Sequence, residues 1–190
     1  MARKIKQGFG EAFAYLRKSL FFIYFATILF VGSVLVAFLY PAPFSFFDDW
    51  LREIVNKIIG LSPIELILFI FQNNALSSIF MLMLGAVAGI VPVVNVLVNG
   101  ALLGYVFSRA IDVGGLVIMW RILPHGIFEL PAIMISAGLG IKFGMFVFSK
   151  NRKQVFVERL ISSLNVFLYI ILPLLIVAAI IEGLLITLFG

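Results

Sequence analysis

The single histidine of this 190-residue chain, His125, lies in Leu123-Pro124-His125-Gly126-Ile127-Phe128-Glu129-Leu130-Pro131, four residues before Glu129. On a helix that spacing sets both side chains on one face, about a turn apart. The pair lies among stretches that read as membrane-embedded, where an ionisable group is expensive to desolvate and marks a functional-site hypothesis by default. Three chemistries are open to it. In the first the two side chains share a proton or an ion pair and pin helices together. In the second they bind a cation, proton or lipid headgroup. As a metal site His-x-x-x-Glu is incomplete, because a catalytic zinc takes about three protein ligands. The third ligand would have to come from Glu65, Glu182, Asp112 or an amide, and no spacing singles one out. In the third chemistry they are a general base and its orienting partner in an intramembrane metal-dependent hydrolase. No serine or threonine adjoins them to act as nucleophile, so no catalytic residue is assigned. Asn73, Asn74, Asn99 and Arg121 complete the candidate intramembrane polar cluster, with Asn95 nearby. Buried amides need partners, and interhelical bonding is the simpler expectation for them. Asn73 and Asn74 have a second option, capping the helix that follows.

The elements that must hold these groups follow from composition. The chain is 63% apolar and 12% charged, with a mean hydropathy of +1.20. A soluble domain is about half apolar and a quarter charged. Several runs reach the roughly 20 apolar residues that cross a hydrocarbon core. The expectation is an all-α, polytopic helical membrane bundle forming a single membrane domain. With no cysteine, disulfide and thiolate chemistry are excluded. The net charge of +5 points to basic residues held on one membrane face, and nucleic acid is not an expected partner. No cofactor is expected.

Along the chain, residues 1–18 read as a basic amphipathic helix, with Ile5, Phe9, Phe13 and Leu16 on one stripe and Arg3, Lys4, Lys6, Arg17 and Lys18 around it. The expected spans are 20–40, 75–91, 93–111, 127–148 and 160–189. The first has no small-residue cleavage site after it and reads as a retained helix. Residues 44–60 carry a wide apolar stripe with Trp50 and read as an interfacial amphipathic helix. Ser62-Pro63-Ile64-Glu65 is a helix start with a capping box. Two segments are expected to be broken or re-entrant: Gln72-Asn73-Asn74 interrupts one apolar run and Pro124-His125-Gly126 another, with Pro92 closing the span between them. Pro173 is placed to kink the last helix.

The two breaks, each followed by a span with glycines at 85 and 89 or at 140 and 144, resemble a parallel internal repeat. Such paired breaks can form a shared site. These glycines, with Gly100 and Gly104, are spaced for close helix approach in a compact bundle, and suggest a homodimer. Basic residues set the orientation. Five precede the first span and four lie in 150–159, against Arg52, Lys57, Arg109 and Arg121 on the other side. That places the N-terminus in the cytoplasm and the C-terminus outside a multi-pass cell-membrane protein.

Phe71-x-Asn73-Asn74, the span with Gly85 and Gly89, Asn99-Gly100-x-x-x-Gly104 and Leu123-Pro124-His125-Gly126-x-x-Glu129-Leu130-Pro131-Ala132 together resemble the stage II sporulation protein M family in order and spacing. The Pro-His-Gly-x-x-Glu element is the most specific part. The resemblance implies a non-enzymatic integral membrane scaffold that works through membrane or envelope protein partners, with Asn73, Asn99, His125, Gly126 and Glu129 as the family positions and no catalytic role attached. The alternative is a small transporter or lipid-handling protein centred on His125 and Glu129.

Overall fold

The computed structural model describes the backbone of residues 2–114 and 119–189 and the side chains of residues 6–112 and 128–181. The described residues form helices and turns, and five apolar stretches are long enough to cross a membrane. The all-α membrane bundle expected from composition is what the chain builds.

Helix α1 (Ala2–Arg17) meets α2 (Leu20–Leu39) at a tight corner, where Ser19 is fully buried. A short 3-10 turn at Ala42–Phe44 leads to α3 (Phe47–Ile58). Asp48 and Asp49 in its first turn and Lys57 in its last suit the helix dipole. Helix α4 (Pro63–Leu84) opens with the expected capping box: the Ser62 amide donates to Glu65 Oε2 at 2.8 Å and the Glu65 amide to Ser62 Oγ at 3.4 Å. Glu65 is thereby a cap, which removes it from the candidate metal ligands. Helix α5 (Ile90–Gly114) and α6 (Met119–Gly144) follow. Then α7 (Arg152–Val166) passes through a π turn at Phe167–Ile171 into α8 (Leu172–Phe189). The π turn directly precedes Pro173, whose ring and missing N–H disturb the bonds of the preceding turn.

Three boundaries correct the sequence expectation. Gln72-Asn73-Asn74 is not a break, for α4 runs unbroken through it. Pro124-His125-Gly126 is not a break either, since the backbone of α6 is helical throughout. The reason is the same in both cases. In lipid every backbone N–H and C=O must be satisfied within the chain, so a helix continues through residues that would end it in water. Nor does Pro92 close the preceding span. The chain reverses at 85–89, and Pro92 falls in the first turn of α5. Gly89 holds φ +73 there and donates to the Gly85 carbonyl at 2.8 Å, a left-handed conformation that glycine adopts without strain. The basic residues Arg152, Lys153 and Arg159 lie in the opening turns of α7.

Helix α6 is the centre of the bundle. It packs against α2, α4, α5, α7 and α8, and 56% of its apolar window is buried against 22–39% for the other four. The most extensive pairing is α2 with α5. There a Cβ on Gly100 would meet the Ser33 hydroxyl and the Phe30 carbonyl, and one on Gly104 would meet Val34. At the π turn the partners change: α7 lies against α1, whereas α8 lies against α4 and α6. Much of the remaining surface of α2, including Phe21, Tyr24, Ile28 and Leu35, is exposed apolar side chain, as a lipid-facing helix requires.

Candidate functional site

Helices α4 and α6 meet along a seam of glycines. A Cβ on Gly85 would collide with the Gly140 backbone, and one on Gly144 with the backbone of Gly85 and Gly89. Eleven residues upstream on each helix are Asn74 and Glu129. Three helical turns return a side chain to the same face. There the buried Asn74 lies next to the partly buried Glu129. Asn74 and Glu129, Gly85 and Gly140, and Gly89 and Gly144 are each 55 positions apart. A constant separation means that the two helices run parallel and in register. One turn beyond Asn74, Ser78 is fully buried and its hydroxyl has no protein partner.

The six candidate cluster residues therefore divide. Asn74 and Glu129 come together. Asn73 is exposed on α4, turned away from this contact. Asn99 is occupied within α5, donating from Nδ2 to the backbone carbonyl and the side-chain oxygen of Asn95, both at 2.9 Å. The side chains of His125 and Arg121 lie outside the described residues, and with them the expected contact between His125 and Glu129. Among the described residues no three His, Asp or Glu side chains gather as a metal site would need.

Two further polar clusters went unforeseen, one at each end of the bundle. At the end where α3 sits, the Tyr105 hydroxyl of α5 donates to Asp48 Oδ1 at 2.7 Å and accepts from Arg109 Nε at 3.0 Å. Arg109 Nη2 also stands 3.6 Å from Asp48 Oδ2. Tyr105 is fully buried, and Phe47 packs on its ring at 6.1 Å between centroids. This cluster ties α3 to α5, and α3 is bordered by an open groove of about 470 Å³ with Asp48, Leu51, Arg52, Val55 and Asn56 on its wall. At the opposite end, where α1 turns into α2, Lys142 of α6 donates to the Ser19 hydroxyl at 2.9 Å and the Lys18 carbonyl at 3.1 Å. Its ammonium lies 4.0 Å from the centre of the Tyr15 ring. Arg159 of α7 donates to the Lys142 carbonyl. Burial pushes the Tyr15 phenol above its ordinary range, so it stays neutral and able to donate. Tyr105 and Tyr15 carry no motif in sequence. Only the cost of a lone Lys142 within an apolar run hinted at either cluster.

With this geometry in place, comparison with known proteins decides the lineage. The model of the family described as stage II sporulation protein M matches residues 20–185. The chain belongs to the stage II sporulation protein M family. A relative in Methanocaldococcus jannaschii, described as an uncharacterized protein, is 29% identical over 175 residues, spanning 87% of this chain and 77% of its own length. No solved structure matches. The match covers α2 to α8 and so takes in the α4–α6 seam, the Asn74–Glu129 contact and both end clusters apart from Tyr15, Lys18 and Ser19.

Proposed function

We propose that this protein is a non-enzymatic integral membrane scaffold. The observation that carries the reading is the engagement of Glu129 by Asn74, in register with the glycine pairs of the same seam. An amide and a carboxyl set side by side link two parallel helices, and polar contacts of this kind in lipid contribute about 0.6–1.7 kcal/mol. The scaffold spans the cell membrane several times with its N-terminus in the cytoplasm and its C-terminus outside. The gathering of Lys18, Lys142, Arg159 and the start of α7 at one end of the bundle supports this orientation. The amphipathic α3, with Trp50 exposed, lies at the opposite interface. Self-association and envelope protein partners belong to the same reading. The glycines at 85, 100, 104, 140 and 144 are occupied by contacts within the chain, so a dimer would use another face.

Thermal unfolding in detergent tests this. Glu129→Ala and Asn74→Ala should each lower Tm, by about 1 kcal/mol of stability, and the double variant by little more than either alone. Unchanged Tm in both variants, with Glu129 open to a carboxyl-reactive probe, would overturn the structural role and favour the transporter or lipid-handling alternative.

A further inference from the structure

The end of the bundle at the α1–α2 corner carries an unbalanced charge. Lys142 of α6 reaches the Lys18 carbonyl at the corner, and Arg159 of α7 bonds the Lys142 carbonyl, so three elements bring basic residues to one place, and the charges of Lys18 and Arg159 act on Lys142. Glu158 is the one carboxylate among the charges that act on Lys142. It is exposed, and among the described residues no carboxylate makes an ion pair with any of the three cations. The partners of the Lys142 ammonium are a carbonyl, a hydroxyl and the face of a ring. All are neutral, and only two of its three N–H donors have an oxygen to bond. Arg159 gives one N–H to the Lys142 carbonyl and has others to spare. Three basic residues gathered at one corner without a paired anion repel one another. Such an arrangement calls for an external counter-anion with several acceptor oxygens.

Position selects the anion. The cluster lies where α6 ends, where α2 begins its apolar run, and where the antiparallel pair of polar helices α1 and α7 pack side by side. Antiparallel pairing is visible in the contacts: Gly8 and Phe9 approach Tyr169, while Tyr15 approaches Ser163. In a bundle that spans a bilayer this is headgroup depth, and the anion present there at high local concentration is the lipid phosphate. We propose that Lys18, Lys142 and Arg159, with the Tyr15 ring as floor, form a binding site for the phosphate of an anionic phospholipid headgroup. The site clamps the α1–α2 corner to the ends of α6 and α7, so a bound lipid joins three separately anchored elements. The inference rests on the membrane reading of the bundle and not on the role of Glu129.

Native mass spectrometry of the detergent-solubilised full chain, titrated with phosphatidylglycerol and in parallel with phosphatidylcholine, tests it. Phosphatidylglycerol should bind at least tenfold more tightly and raise Tm. Each Lys or Arg near an anionic surface contributes about a fivefold change in affinity. Lys142→Gln, which retains a donor for Ser19, and Lys18→Gln should therefore each weaken phosphatidylglycerol about fivefold, and the pair about 25-fold. Lys18 is exposed, so its variant folds normally and keeps the test decisive even if Lys142→Gln does not. Lys150→Gln is the control: it is exposed and is not among the charges acting on Lys142, and should leave binding unchanged. Equal losses from Lys150→Gln and Lys18→Gln would reduce the site to a diffuse basic field and overturn the proposal. So would equal affinity for the two lipids, or stabilisation by inorganic phosphate without any by phosphatidylglycerol. Glu129→Ala should retain the lipid preference, which separates this inference from the scaffold reading.

Discussion

The two polar ends of this bundle solve the cost of charge near lipid in opposite ways. At the α3 end, Asp48 and Arg109 offset each other across the Tyr105 hydroxyl, and the cluster closes on itself. At the α1 end, Lys142 and Arg159 bond neutral partners beside Lys18, and a single nearby carboxylate leaves the cations in excess. A closed cluster fixes geometry, and here it docks a short amphipathic helix onto a span. An open cluster fixes geometry only in part and leaves a demand for an anion. The same residue types thus pin one end and prepare the other for a ligand. The Asn74–Glu129 contact belongs with the closed kind, since both of its groups come from within the bundle.

Substitutions separate these behaviours. Tyr105→Ala should have the largest effect, about 3–5 kcal/mol, because it removes a fully buried aromatic together with the hydroxyl that both charged groups use. Its mark should be local: protease cleavage within residues 45–60 should rise, while the lipid preference of the α1 end persists. Loss of both at once would show that the two ends are not independent. Gly140→Ala comes next, at about 1–3 kcal/mol by unfolding in detergent. Its Cβ would press on the Met81 carbonyl, straining the seam that joins the two ends without touching either. Arg109→Met should be smallest, below about 1 kcal/mol, since its side chain is 54% exposed and the ion pair is screened. A larger drop in Tm would mean that Asp48 relies on Arg109 more than on Tyr105, and that closure of the α3 end is chiefly electrostatic.

Much of this was legible along the chain, and the two expected breaks failed for one reason. The number of apolar stretches, the capping box at Ser62 and the amphipathic α3 follow from periodicity and local bonding, which operate over a few residues, whereas the second stretch lies at Pro63–Leu84 and not at the expected 75–91. The expected breaks at Gln72-Asn73-Asn74 and Pro124-His125-Gly126 applied aqueous helix-stop rules to segments where lipid enforces continuity. The glycines of 85–89 were read as a packing motif within a helix, but the second of them is a turn residue whose left-handed φ no hydropathy pattern reports. The shared eleven-residue spacing from Asn74 to Gly85 and from Glu129 to Gly140 was present in the sequence. It gained meaning only when the seam showed the two helices parallel and in register. Lys142 stood out as a cation in an apolar run, yet nothing in the order of residues named Ser19 or Tyr15 as its neighbours.

By itself the sequence determined the class of solvent, the number of spans and the segments rich in positive charge, because hydropathy and helical period act within single segments. Tertiary structure decided which polar groups meet. It joined Asn74 to Glu129 and left Asn73 and Asn99 out, and it drew Asp48 to Tyr105 and Lys142 to Ser19. Those pairings depend on how close two helices can come and in what register, and that is fixed by glycine contacts between segments far apart in the chain.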